Sequence, residues 1–182
     1  MYIRKFNRII LTTLLVLLFT QTTFAKTAAE INNEVNTAIE KFKKELPGGV
    51  QFLEKTKGYL VFPSVVKAGL IVGGKYAEGA LRVNGVTKHY YDMIAASIGL
   101  QAGVQEYSML IAFLSEASLN NFVGSNGWEA GVDGSITVSD WGKSKDITSL
   151  SFEKPIVAFI YGEKGLMASI SIAGTKFRRI AP

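Results

Sequence analysis

Residues 79–91 read GALRVNGVTKHYY. Asn84-Gly85 lies between two runs of strand-forming residues, and both residue types accept the positive φ of a two-residue primed turn. The pair therefore predicts a β-hairpin joining Gly79–Asn84 to Thr87–Tyr91. The same period of two extends outward. Ala68–Tyr76 precedes the hairpin. After it, Ile94–Val104 sets Ile98, Leu100, Ala102 and Val104 on one face against Ser97, Gly99, Gln101 and Gly103 on the other. Tyr59–Phe62 (ended by Pro63), Tyr107–Leu114, Trp128–Val138, Ile147–Phe152, Ile156–Tyr161, Leu166–Ala173 and Thr175–Ile180 complete the series. The predicted class is α+β, mostly β. It is one curved antiparallel sheet, barrel- or sandwich-like, with an N-terminal amphipathic helix and a second short helix.

The first helix is expected over Thr27–Leu46. Ala28, Ile31, Val35, Ala38, Ile39, Phe42 and Leu46 share one face, Thr27 and Glu30 form a capping box, and Pro47-Gly48-Gly49 stops it. Its polar side mixes Glu30, Glu34, Glu40 and Glu45 with Lys41, Lys43 and Lys44. A membrane-surface helix is usually richer in Lys and Arg, so packing on its own domain is the favoured reading. The second helix is expected over Ser115–Phe122, capped by Ser115. All 18 glycines lie beyond residue 25, many inside strand patterns. There they imply tight sheet curvature or a small-residue floor that admits an acyl chain.

Residues 1–25 have the layout of a secretory signal peptide. Arg4, Lys5 and Arg8 precede the apolar run Ile9–Phe19, and Thr23-Phe24-Ala25 places small residues before a cut after Ala25. The run is shorter than the roughly 20 residues a bilayer span needs. Residues 26–182 then form a single domain, periplasmic or secreted. Three of the 20 Lys and Arg and none of the 15 acids lie in the leader, leaving 17 bases against 15 acids, a net +2. So mild a balance argues against nucleic acid as partner, because phosphate backbones need a dense basic face. The chain contains no cysteine, which excludes disulfides, thiolate metal sites and anchoring through an acylated cysteine.

Catalytic motifs are missing. His89 is the only histidine, so it can build neither a multi-histidine zinc site nor, without a G-x-S-x-G elbow, a hydrolase triad. Gly69–Gly79 is glycine-rich but spaced like no phosphate-binding loop. Glu78, Asp92, Glu106, Glu129 and Asp133 are candidate carboxylate pairs for glycoside chemistry, with nothing in the sequence to bring two together. The expectation is a binding domain, not an enzyme, with no cofactor and no metal.

Six segments, in order, resemble the SYLF-domain family of lipid-binding proteins. They are KGYLVFPSVVKAG (57–69), VGGKYAEGALRV (72–83), YYDMIAASIGLQAG (90–103), GWEAGVDG (127–134), AFIYGEKGLMA (158–168) and GTKF (174–177). The chain looks like a bacterial exported member. The resemblance implies phospholipid binding, with acidic head groups, phosphoinositides among them, recognised by eukaryotic members active in membrane traffic and actin organisation. An exported bacterial protein would meet neither actin nor phosphoinositides, so lipid binding carries over in kind and the head group does not.

An anionic head group calls for Lys or Arg at the mouth of an apolar surface. Lys67 and Lys176 lie within family-like segments, Lys75 and Arg82 flank the glycine-rich hairpin, and Arg178-Arg179 is the one adjacent arginine pair. At position 75 the family pattern often carries an acid, and this chain carries Lys. These six are the candidate lipid-binding residues, expected to gather where apolar side chains meet solvent. Glu78, Trp128 and Glu129 are assigned to architecture. The expected partner is a phospholipid membrane surface. The alternatives are a small outer-membrane β-barrel and a scaffold domain holding an envelope protein.

Overall fold

A computed structural model describes residues 26–69, 72–98, 104–139, 146–149, 152, 154–164 and 171–182. The leader expected over 1–25 lies outside the described residues, as do 99–103 and 166–170 of the expected strands. The elements run α1 (Ala28–Glu45), α2 (Gly49–Lys55), β1 (Gly58–Gly69), β2 (Val72–Val83), β3 (Val86–Ile98), β4 (Val104–Phe113) and α3 (Glu116–Gly124). They continue with β5 (Trp128–Glu129), β6 (Thr137–Val138), a 3-10 turn (Ile147–Ser149), β7 (Ile156–Lys164) and β8 (Lys176–Ile180). The strands form one curled half-barrel sheet in the order β5-β8-β3-β2-β1-β4-β7-β6. Every pairing is antiparallel except the edge pair β6–β7, which is parallel.

Local chemistry accounts for the helix starts. The Thr27 hydroxyl accepts from the Glu30 amide while the Glu30 carboxylate accepts from the Thr27 amide at 2.8 Å, so both orphan donors are satisfied. Ser115 caps α3 through the Ser118 amide. Asn84 and Gly85 take φ of 52° and 76°, as the primed turn demands.

Several elements depart from the sequence reading. Gly48 adopts a left-handed φ of 79°, and the chain re-enters a helix, α2, instead of leaving helical structure. Phe52 and Leu53 justify that extra turn by burying against the sheet, with Phe52 edge-on to Phe159 at 5.1 Å. Pro63 does not end β1. It sits where the register with β4 shifts between Phe62 and Val65, a bulge that needs no donor from proline, and its carbonyl accepts from Ser108. Thr87–Tyr91 and the start of Ile94–Val104 are one strand, β3, carried through Asp92 by its pairing with Arg178. Trp128–Val138 gives only the two-residue strands β5 and β6, and Ile147–Phe152 begins with a 3-10 turn.

The sheet has an apolar layer on each face. On the outer face, Ile31, Val35, Ala38, Ile39, Phe42 and Leu46 pack on Val61, Ala80, Leu110, Ala112, Val157 and Phe159. The Phe42 ring meets Phe159 and Tyr161 edge-on, both at 5.5 Å, and the Tyr161 hydroxyl donates to the Ala38 carbonyl at 3.0 Å. The apolar side of α1 is thus spent on its own domain. The concave face is filled by Leu60, Phe62, Tyr91, Met93, Phe113 and Phe177, closed by Phe122 of α3 and by Trp128. The Trp128 indole donates to Asn121 at 3.0 Å, so its polar atom is satisfied.

Tight curvature rests on Gly79. A Cβ there would strike the Val61 carbonyl and the Phe62 ring. Gly79→Ala is therefore expected to lower unfolding stability by about 1–3 kcal/mol through overpacking. Gly124→Ala, with nothing within 4 Å of the added methyl, should leave it nearly unchanged. Urea denaturation of the two variants checks the contrast.

Candidate functional site

α1 covers only part of the outer face. Where it ends, the strands carry apolar side chains into solvent. Val66 of β1 lies directly opposite Tyr76 of β2, Tyr76 opposite Ile94 of β3, and Ile94 opposite Lys176 of β8. Val66 is 40% exposed, Tyr76 48% and Ile94 38%, and Val104, opposite Ala68 on the same face, is 70% exposed. Isolated exposed apolar residues are ordinary on any surface, but a contiguous cross-strand row is not. Sequence reasoning missed this row, because which residues share a face depends on bulges that the sequence does not announce.

The next row along the same face is charged: Glu78 opposite Asp92, and Asp92 opposite Arg178. The Arg178 guanidinium grips the Asp92 carboxylate through two donors, at 3.0 and 2.5 Å, and this pairing raises the arginine's pKa further. Lys176 stands 3.3 Å from the Glu129 carboxylate, and the Tyr76 hydroxyl donates to Glu78 at 2.7 Å.

The six candidate cations do not share one patch. Lys176 and Arg178 border the exposed apolar row. Lys67 and Lys75 lie directly opposite each other on β1 and β2, but on the concave face, two residues beyond buried Val65 and Ala77. They are 4% and 7% exposed. The Lys75 ammonium donates to the Ser171 carbonyl at 2.6 Å. Burial, and then the charge of Lys67, lower its pKa. Arg82 is buried beneath α1 and donates to Asn36 at 2.7 Å, which ties helix to sheet. Arg179 points away from Arg178, beside Tyr91, and donates to the Val123 carbonyl of α3 at 2.8 Å.

The residues weighed for chemistry have structural partners. Asp92 belongs to Arg178, Glu78 to Tyr76, and Glu129 to Lys176, while Asp133 accepts from the Glu129 amide at 2.7 Å. His89 stacks edge-on to Tyr91, and burial, then Arg179 and Lys88, lower its pKa. Among the described residues no group of three His, Cys, Asp or Glu side chains could hold a metal ion. A cleft of about 180 Å³ between α2 and the 3-10 turn, lined by Phe52, Lys55, Leu114, Ile147 and Phe152, is below the several hundred Å³ of a usual small-molecule site.

Comparison with known proteins bears on the same strands. The family model described as "Ysc84: Las17-binding protein actin regulator" matches residues 94–180, from the end of β3 through β8. The protein described as "Beta cell expansion factor A", from Aeromonas veronii, is 29% identical over 157 residues, covering 84% of this chain and 58% of that protein. The chain thus spans well under two thirds of that relative's length. The resemblance seen in the six segments and these two matches point the same way: residues 94–180 match the Ysc84, or SYLF-domain, family model, and the chain is similar to that family.

Proposed function

We propose that this domain is a non-catalytic lipid-binding module that docks on phospholipid membranes through the bare end of its sheet. The observation that carries the reading is the exposed row Val66, Tyr76 and Ile94, with Val104 beside it. Aliphatic side chains next to a tyrosine suit the boundary between acyl chains and head groups, where an apolar body and a polar tip are both accommodated. Lys176 and Arg178 at its border offer donors to phosphate, although Glu129 and Asp92 already offset their charge. Apolar contact therefore provides most of the attraction, and charge adjusts it.

Peripheral docking fits better than a membrane-spanning barrel. The outer face, which a barrel would turn to lipid, is largely occupied by α1, and the described strands end in two edges, β5 and β6. Among the described residues no helix is long and apolar enough to cross a bilayer. The basic, apolar and small-residue pattern of residues 1–25 supports export, with the domain acting in the periplasm or outside the cell.

Two outcomes are expected. Protein purified after export should sediment with phospholipid vesicles. Tyr76→Ser combined with Ile94→Ser should reduce the bound fraction at least fivefold with an unchanged circular dichroism spectrum. Vesicle binding that ignores this double substitution contradicts the docking face. Mass spectrometry of the exported protein should find Lys26 as its first residue; a retained Met1 contradicts cleavage after Ala25.

A further inference from the structure

We propose that Lys67 and Lys75 together clamp a phosphate-class oxyanion on the concave face, at the end of the half-barrel where β1 finishes and β2 begins. The proposal rests on the membrane reading for its lipid source but not for its chemistry.

Directly opposite residues in an antiparallel pair have Cβ atoms about 4.5–5.5 Å apart, so these two ammonium groups share one small region. Both residues are more than nine-tenths buried, next to Val65, Ala77 and Tyr107 of the apolar layer. A buried cation is costly unless a counter-charge or several acceptors meet it, and two side by side also repel. Among the described residues no carboxylate forms an ion pair with either lysine, and the polar contact present is the Ser171 carbonyl on Lys75. One neutral acceptor does not offset two positive charges.

The other candidate cations of the sheet are treated differently. Arg178 has Asp92, Lys176 has Glu129, and buried Arg82 has Asn36. A phosphate-class oxyanion between the lysines supplies both the charge and the acceptors they lack. Lysine suits the task because an ammonium is a compact charge with rotatable donors, tolerant of how the phosphate sits. Lys67 is two residues from the end of β1, about 7 Å along the strand. An anion entering there need not displace the aromatic core.

The exported protein, as wild type, Lys67→Met and Lys75→Met, is titrated calorimetrically with inorganic phosphate, dihexanoyl phosphatidate and, as control, dihexanoyl phosphatidylcholine. Methionine fills similar space without charge, so the ligand-free variants should melt no lower than wild type. Wild type should bind inorganic phosphate and phosphatidate more tightly than phosphatidylcholine, and each substitution should weaken both at least tenfold. Lysine-dependent binding of inorganic phosphate without phosphatidate supports the clamp and assigns it to free phosphate. A second measurement needs no variant: phosphate should protect Lys67 and Lys75 from reductive methylation, read by mass spectrometry. No phosphate binding by wild type, binding unchanged in both variants, or no protection of either lysine overturns the proposal. The membrane reading is separable, because sedimentation of both variants with neutral vesicles should match wild type whatever the clamp does.

Discussion

The alignment of β1, β2 and β3 is the constraint on which the rest depends. In a sheet, a slip of one residue exchanges the two faces. Val66 opposite Tyr76 and Lys67 opposite Lys75 are neighbouring steps of one ladder, so the exposed apolar row and the buried lysine pair are set by the same register. That register follows from irregularities. β1 shifts against β2 between Val61 and Val66, and β2 shifts against β3 between Leu81 and Arg82. Pro63 and Gly79 lie at the places where the backbone bends and crowds. Without the β1 offset Lys67 would turn to the outer face and Val66 to the concave one, out of line with Lys75 and Tyr76, whose faces follow from unbroken alternation along β2.

Packing then divides the two faces into different roles. α1 covers the outer face over Val61, Ala80, Leu110 and Phe159, and stops short of the end where β1 finishes and β2 begins. What it covers is held by dense apolar contact and by the Arg82–Asn36 and Tyr161–Ala38 hydrogen bonds. What it leaves bare is apolar with paired charges at the border, a surface that gains by leaving water and loses little in desolvated charge. The concave side has the opposite character at the same end, two cations held among apolar neighbours. On the proposed reading, hydrocarbon contacts outside and phosphate contacts inside would together hold an amphiphile at this end.

Much of this was legible in the sequence, and the remainder was hidden for identifiable reasons. Thr27 with Glu30, Ser115, and Asn84-Gly85 act through neighbours a few residues away, so α1, α3 and the β2–β3 turn could be read directly. The mostly β class followed from the alternation. α2 was missed because Gly48 interrupts the chain without ending its helical course, and the burial of Phe52 against Phe159 is a long-range contact. β3 was cut short because an acid at 92 looks like a break until Arg178, 86 residues away, is seen to hold it. Counting outward from the Val83–Val86 pair would set Tyr76 opposite Met93; the bulge between Leu81 and Arg82 moves it opposite Ile94. A bulge of that kind leaves no trace in residue type. The six candidate cations could be named but not grouped, since the sequence does not say which side of a strand each one takes.

The absence of native cysteine allows a direct test, because a single introduced thiol can be labelled without interference. Val66→Cys and Val86→Cys place a polarity-sensitive fluorophore at exposed positions, the first in the apolar row and the second at the start of β3, just after the turn at the opposite end of β2. On addition of phospholipid vesicles the probe at position 66 should shift to the blue and gain intensity while the probe at 86 stays unchanged. A shift at 86 alone, or at neither position, would contradict membrane docking through this end of the sheet.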